Sequence, residues 1–269
     1  MNCKLYFIYL ISSGIIIFCS GVSGQSSGNQ GSNQMYPEAP LKKSITRYEI
    51  NSVDSVIRKI SRENFNDKGW KTEYIEYSYF DTEELKEIYE YSDAGKIVRI
   101  SSGDLSSNLS YNENGLLKMM DSEQMDIEFN YNEKRLLSEM KYIRDGQSVG
   151  YQRFEYKYDD KDSVKELKKY DKFIDEPSET LQMHRSMKYD NAGNVTEEIS
   201  YIKDIPGSVD SNWYNEYGKC IYKLEYDYPD RLKSKSKFEY DQYGNLIRKF
   251  TEKYDGEILG EKYVYEYSE

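Results

Sequence analysis

Apolar and polar residues alternate along most of the chain beyond residue 41. Met125, Ile127, Phe129 and Tyr131 alternate with Asp126, Glu128 and Asn130, and Phe154, Tyr156 and Tyr158 alternate with Glu155 and Lys157. Tyr222, Leu224 and Tyr226 do the same, as do Tyr263, Tyr265 and Tyr267. A period of two predicts strands with one wet face. No helical pattern of comparable clarity occurs. Residues 81–90 (DTEELKEIYE) have a helix-forming composition, but Tyr89-Glu90-Tyr91 stays in strand register with the turn that follows, so this stretch also reads as strand.

Between the alternating runs stands a recurring unit. Residues 240–249 read YDQYGNLIRK, residues 189–198 YDNAGNVTEE, residues 91–100 YSDAGKIVRI and residues 111–120 YNENGLLKMM. The Asx residue (Asp190, Asp241) can accept backbone bonds from within its own turn. The glycine (Gly95, Gly115, Gly193, Gly218 or Gly244) supplies a positive φ, and Asn194 and Asn245 follow it in two copies. Units begin at Phe65, Tyr91, Tyr111, Tyr131, Tyr158, Tyr189, Tyr214 and Tyr240, at intervals of 20 to 31 residues. Two copies lack the glycine: Arg135 and Asp162 or Ser163 stand in its place, which predicts another turn form there. The expected fold is all-β, built from antiparallel β-hairpin repeats that form an extended or curved, spiralling strip. Longer insertions at residues 171–183 and 203–213 (with Pro206-Gly207) read as loops, the second leading into Trp213.

Tyrosine, at 29 residues, suits half-buried sheet surfaces with its apolar ring and wet hydroxyl. Runs of Val, Ile and Leu that would fill a two-sided parallel sheet are missing, so the expected core is thin. The net charge of −11 disfavours nucleic acid and anionic membrane surfaces as partners.

Residues 1–24 read as an export signal, with Lys4 ahead of an apolar run over residues 5–18. Cleavage after Gly24 gives a mature chain starting at Gln25. The alternative, Ile16-Ile17-Phe18-Cys19, reads as a lipoprotein box that makes Cys19 the lipidated first residue and the only link to a membrane. Residues 25–40 form a flexible linker, and residues 41–269 a single β domain. The location implied is exported: periplasmic, anchored at the outer membrane, or extracellular.

The stretches Tyr240-Asp241-Gln242-Tyr243-Gly244-Asn245-Leu246 and Tyr189-Asp190-Asn191-Ala192-Gly193-Asn194-Val195 resemble the YD repeats of RHS-type proteins, with looser copies over most of residues 65–255. The resemblance implies bacterial export and hairpins joined side by side into a β-strip that spirals. It also implies, from surface members of that family, binding of carbohydrate or of a cell-surface partner. The repeats here are too few to enclose a second domain.

Catalytic chemistry is scarce. His184 is the only histidine, and beside Arg185 at a strand entry it reads as structural. Cys220 is the only cysteine outside the signal region, so no disulfide can form within the β domain. The Asp159-Asp160-Lys161-Asp162 cluster is explained by turn capping rather than by a metal, and no metal or cofactor is expected. Two functional classes remain. One is a non-catalytic binding or scaffold module for a glycan or an envelope protein, with Trp213, Tyr214, Tyr222 and Tyr226 as binding residues. The other is an exported carbohydrate hydrolase using a carboxylate pair.

Overall fold

A computed structural model describes residues 37–268. It contains 18 strands, from β1 (Lys42–Ile50) to β18 (Ile258–Tyr267), and no helix among the described residues. Each strand pairs antiparallel with the next in sequence. β2 (Val56–Phe65) and β3 (Lys71–Tyr77) begin this run, and β16 (Arg231–Tyr240), β17 (Leu246–Lys253) and β18 end it. β18 then pairs with β1, through Tyr265 opposite Ile45, Val264 opposite Thr46 and Tyr263 opposite Arg47. The last strand therefore meets the first, and the sheet is a closed up-and-down β-barrel. This corrects the expectation of an extended or curved, spiralling strip: both edges are used up in pairing one another, which leaves no unpaired edge strand among the described residues. Backbone contacts join only neighbours in the ring. With strands about 4.8 Å apart and tilted, a round ring of this size is on the order of 35 Å across.

The hairpin units set the two ends apart. Turns at residues 66–70, 92–96, 112–116, 132–136, 159–163, 190–194, 215–219 and 241–245 all lie at one rim, where β1 also begins and β18 ends. In these turns the first residue accepts the amides of its own loop. Asp241 Oδ1 takes Tyr243 N–H at 2.9 Å and Asn245 N–H at 2.8 Å, and Asp190 Oδ1 takes Ala192 and Asn194 N–H at 2.9 Å each. Gly95, Gly115, Gly193, Gly218 and Gly244 all have positive φ. The two copies without glycine adopt the same turn rather than another form: Arg135 and Asp162 take φ of 64° and 68°. Asn132 and Asp159 cap them as elsewhere, and Arg135 also donates to the Asn114 carbonyl at 2.9 Å. The left-handed conformation costs a non-glycine residue about 1–2 kcal/mol, which these bonds offset.

The repeat tyrosine closes the same rim between turns. Tyr91, Tyr111, Tyr189, Tyr214 and Tyr240 donate their hydroxyls to the carbonyls of Lys71, Ile97, Val164, Val195 and Cys220, at 2.6 to 2.8 Å. Tyr156 and Tyr265 do the same to Leu137 and Leu246. Each acceptor lies two residues after the positive-φ residue of the preceding turn. A turn thus joins β2 to β3 at this rim, and a tyrosine stitches β3 to β4 (Glu83–Tyr91). Such a bond contributes about 0.5–1.5 kcal/mol, and several recur around the ring.

Alternation and register assign the walls. Tyr89, Ile100, Met120, Ile127, Phe129, Met140 and Tyr142 are buried and share the face of the stitching tyrosines. Side chains converge on the concave side of a ring and shield one another, so this is the inner face. Its apolar part is local: Met120, Ile127, Phe129, Met140 and Tyr142 pack together on β7 (Leu117–Ser122), β8 (Asp126–Tyr131) and β9 (Leu137–Arg144). Elsewhere the inner face carries charge, including Arg47, Lys71, Glu87, Arg185 and Lys249. The outer face carries Lys86, Arg99, Lys141, Lys188 and Lys262. Neither face is an uninterrupted apolar band. Each Lys or Arg turned to the middle of a bilayer costs about 2–4 kcal/mol, so both walls suit water.

Candidate functional site: an outward aromatic patch

Three of the four sequence-named binding residues share the outer wall, and one does not. On β14 (Ile205–Tyr214) and β15 (Cys220–Asp227), Trp213 stands opposite Tyr222, and Val209 opposite Tyr226. The Trp213 and Tyr222 rings lie 5.4 Å apart, tilted by 54°. Trp213 is 46% exposed. Tyr214, next in sequence, points to the inner wall, where its hydroxyl is bound to the Val195 carbonyl at 2.6 Å and burial pushes it up to about 12. It is a stitching residue and not part of the patch.

The register extends the patch sideways. Tyr222 faces Lys237 on β16, and Lys237 faces Phe250 on β17. In a second row, Ile199, Val209, Tyr226 and Leu232 follow one another across β13 (Val195–Ile202) to β16. Leu224 lies between the rows, opposite Lys235. Charged groups border them: Lys237 pairs with Glu239 at 2.9 Å, Arg248 with Glu239 at 3.5 Å and Lys235 with Glu252 at 3.7 Å. Lys237 and Arg248 hold Glu239 below the usual carboxylate range, so it stays an acceptor in mildly acidic water. The arrangement presents flat rings flanked by fixed donors and acceptors.

Sequence reasoning missed Phe250, Val209 and Leu232, which join the patch only through cross-strand register. It also placed Trp213 after a loop. Residues 205–214 are strand instead, connected to β13 through Lys203 and Asp204, both with positive φ. Pro206 is tolerated there because it sits at a bulge opposite Tyr201.

The remaining singled-out groups have structural surroundings. His184 is held between Glu166 at 3.1 Å and Asp204 at 3.0 Å, with its ring stacked on Tyr201 at 4.3 Å. Burial raises the Cys220 thiol, which keeps it protonated and unreactive. Cys19 lies outside the described residues.

The class defined by these features is a closed antiparallel β-barrel with water-facing walls and an aromatic patch on the outside. No protein-family profile matches the chain, and no curated protein matches it in sequence. Among solved structures it is similar to a porin-like protein from Bacteroides uniformis, at 12% identity and a TM-score of 0.44, over 86% of this chain and all of that one. A porin-like protein from Bacteroides vulgatus is similar at 9% identity and a TM-score of 0.28, over 85% of this chain and 99% of that one. The Photorhabdus luminescens Tc holotoxin pore is similar at 12% identity and a TM-score of 0.33. That match covers 79% of this chain and 14% of the toxin chain.

Proposed function

We propose that this chain is an exported, non-catalytic envelope barrel of YD-type hairpins that binds carbohydrate on the outward patch centred on Trp213. The observation that carries the reading is the Trp213–Tyr222 pair, with Trp213 46% exposed on the outer wall and Leu224 and Tyr226 following on the same face of β15. Sugar rings have apolar faces that stack on aromatic rings, and their hydroxyls exchange bonds with groups such as Glu239, Glu252 and Lys237. A glycan of the envelope, or a glycosylated envelope protein, is the partner class that fits. Export rests on the signal-like residues 1–24, which lie outside the described residues. In this reading the chain is either released as a soluble protein or held at a membrane through a lipid on Cys19.

Affinity electrophoresis through gels containing soluble polysaccharides tests the reading. Trp213→Ala is expected to reduce retardation roughly five- to tenfold, the loss of one stacking face, with an unchanged melting midpoint. Tyr265→Ala, which removes a stitch from the inner wall, is expected to lower stability and leave retardation intact. Retardation by no polysaccharide, or retardation indifferent to Trp213→Ala, contradicts the carbohydrate reading.

A further inference from the structure

The two rims differ in a way that the patch does not explain. Most of the large apolar side chains left exposed lie at the rim opposite the YD turns, distributed around the ring. Val53 (75% exposed), Phe80 (85%) and Ile202 (70%) stand there with Ile174, Ile205 and Tyr254. They occupy turn tips or the first residues beside them, at residues 51–55, 78–82, 174–179, 203–204 and 254–257. Some join the ladder through their backbones, Ile202 opposite Ile205 and the Ile174 and Tyr254 amides donating to the Val149 and Lys233 carbonyls at 3.0 Å each. Tyr79 and Phe80 touch only edge to face, at 5.8 Å, and the guanidinium of Arg231 lies 5.1 Å over the Tyr254 ring. The YD rim is unlike this, since its turns carry Lys68, Lys96, Lys134, Lys161 and Lys219 beside their carboxylates.

Charge is equally lopsided. The segments that connect strands at the apolar rim are rich in carboxylates and contain one basic residue, Lys203. Cations on the strands neutralise Asp54, Glu179, Asp204 and Glu257. Among the described residues, Asp104, Asp145, Asp175 and Asp230 have no ion-pair partner. The chain enters β1 and leaves β18 at the other rim.

We propose that this rim is a docking surface for a protein partner that offers an apolar patch surrounded by lysine and arginine. Apolar tips would enter the partner's patch while the unpaired carboxylates meet its cations, which steers association and excludes acidic partners. A second copy set rim to rim would bring carboxylates against carboxylates, and an anionic membrane would repel them. Trp213 and Tyr222 lie at the opposite, YD-rim end of β14 and β15, so binding at that pair and docking at this rim can be tested apart.

The test uses the mature full chain and a fluorescein-labelled amphipathic peptide of Leu and Lys, with a Leu/Glu peptide of the same pattern as control. The wild type is expected to bind the Leu/Lys peptide, more weakly as salt rises, and to leave the Leu/Glu peptide free. Phe80→Ser with Ile174→Ser should weaken binding by about tenfold or more, as should Ile202→Ser tested separately. Tyr217→Ser, at the YD rim, should change nothing. Equal binding of both peptides, or binding indifferent to the rim variants, overturns the proposal. Dimers in sedimentation that Phe80→Ser abolishes would overturn it in favour of a second copy. Flotation with phosphatidylcholine vesicles that Phe80→Ser abolishes would overturn it in favour of lipid.

Discussion

Gly260→Val is expected to destabilise the barrel by about 3 kcal/mol, more than typical overpacking, because it strikes where the ring closes. Gly260 on β18 lies between Ile50 of β1 and Phe250 of β17. A Cβ built there would sit 2.6 Å from Ile50 Cγ1 and 2.9 Å from the Ile50 carbonyl oxygen. The Ile50 side chain can turn aside, but its backbone oxygen cannot yield without parting the strands, and Ile50 is already 1% exposed. Denaturant melts should show the loss. Amide exchange should show where it falls, with β1 and β18 exchanging faster while β7–β9 keep their protection. A variant as stable as the wild type would mean that Gly260 is not at a closed seam.

Ile127→Ala is the second large effect, expected at about 2–5 kcal/mol. Ile127 is 0% exposed and sits among Met120, Phe129, Met140 and Tyr142, where the inner wall is apolar several residues deep. Removing three carbons there leaves a cavity that the flanking strands cannot fill, since their backbones are fixed by the ladder. Ile199→Ala, half-buried on the outer wall, should cost less than about 1 kcal/mol. Equal losses at the two positions would show that the apolar cluster is not the local anchor of the barrel.

Much of the local structure was legible in the sequence. Asp190 and Asp241, each followed by glycine three residues on, specify their turns with bonds inside the turn itself, so no distant residue is needed to read them. The alternation around Ile127 and Phe129 likewise announced a strand and its buried face. Arg135 and Asp162 misled because a missing glycine looks decisive locally, whereas the capping bonds of Asn132 and Asp159 outweigh the strain. Closure was hidden for a different reason. It depends on Ser44, Thr46 and Ile50 pairing with residues more than 200 positions away, through side chains that carry no signature of their partners. Whether a run of hairpins curves into a ring or continues as a strip is decided by accumulated twist and bulges, which period-two patterns do not encode. The outward patch was half legible for the same reason. Alternation separates Trp213 from Tyr214 once both are known to be in a strand, but Phe250 joins the patch only through register.

The seam between β1 and β18 decides the account. Thr46 and Val264 face one another across it on the outer wall, and opposed residues of antiparallel strands have Cα atoms about 4.5–5.5 Å apart, within disulfide reach. In a Cys220→Ser background, Thr46→Cys with Val264→Cys is expected to form an intramolecular disulfide on mild oxidation. It should be seen as faster migration without reductant and as a single peptide linking the two strands by mass spectrometry. In an open strip the same positions would lie on opposite edges, roughly 80 Å apart at about 4.8 Å per strand step. Failure to form the intramolecular bond under conditions that oxidise an Arg99→Cys, Asn108→Cys pair, whose positions face one another within the hairpin of β5 (Ile97–Ser102) and β6 (Leu105–Tyr111), would contradict closure.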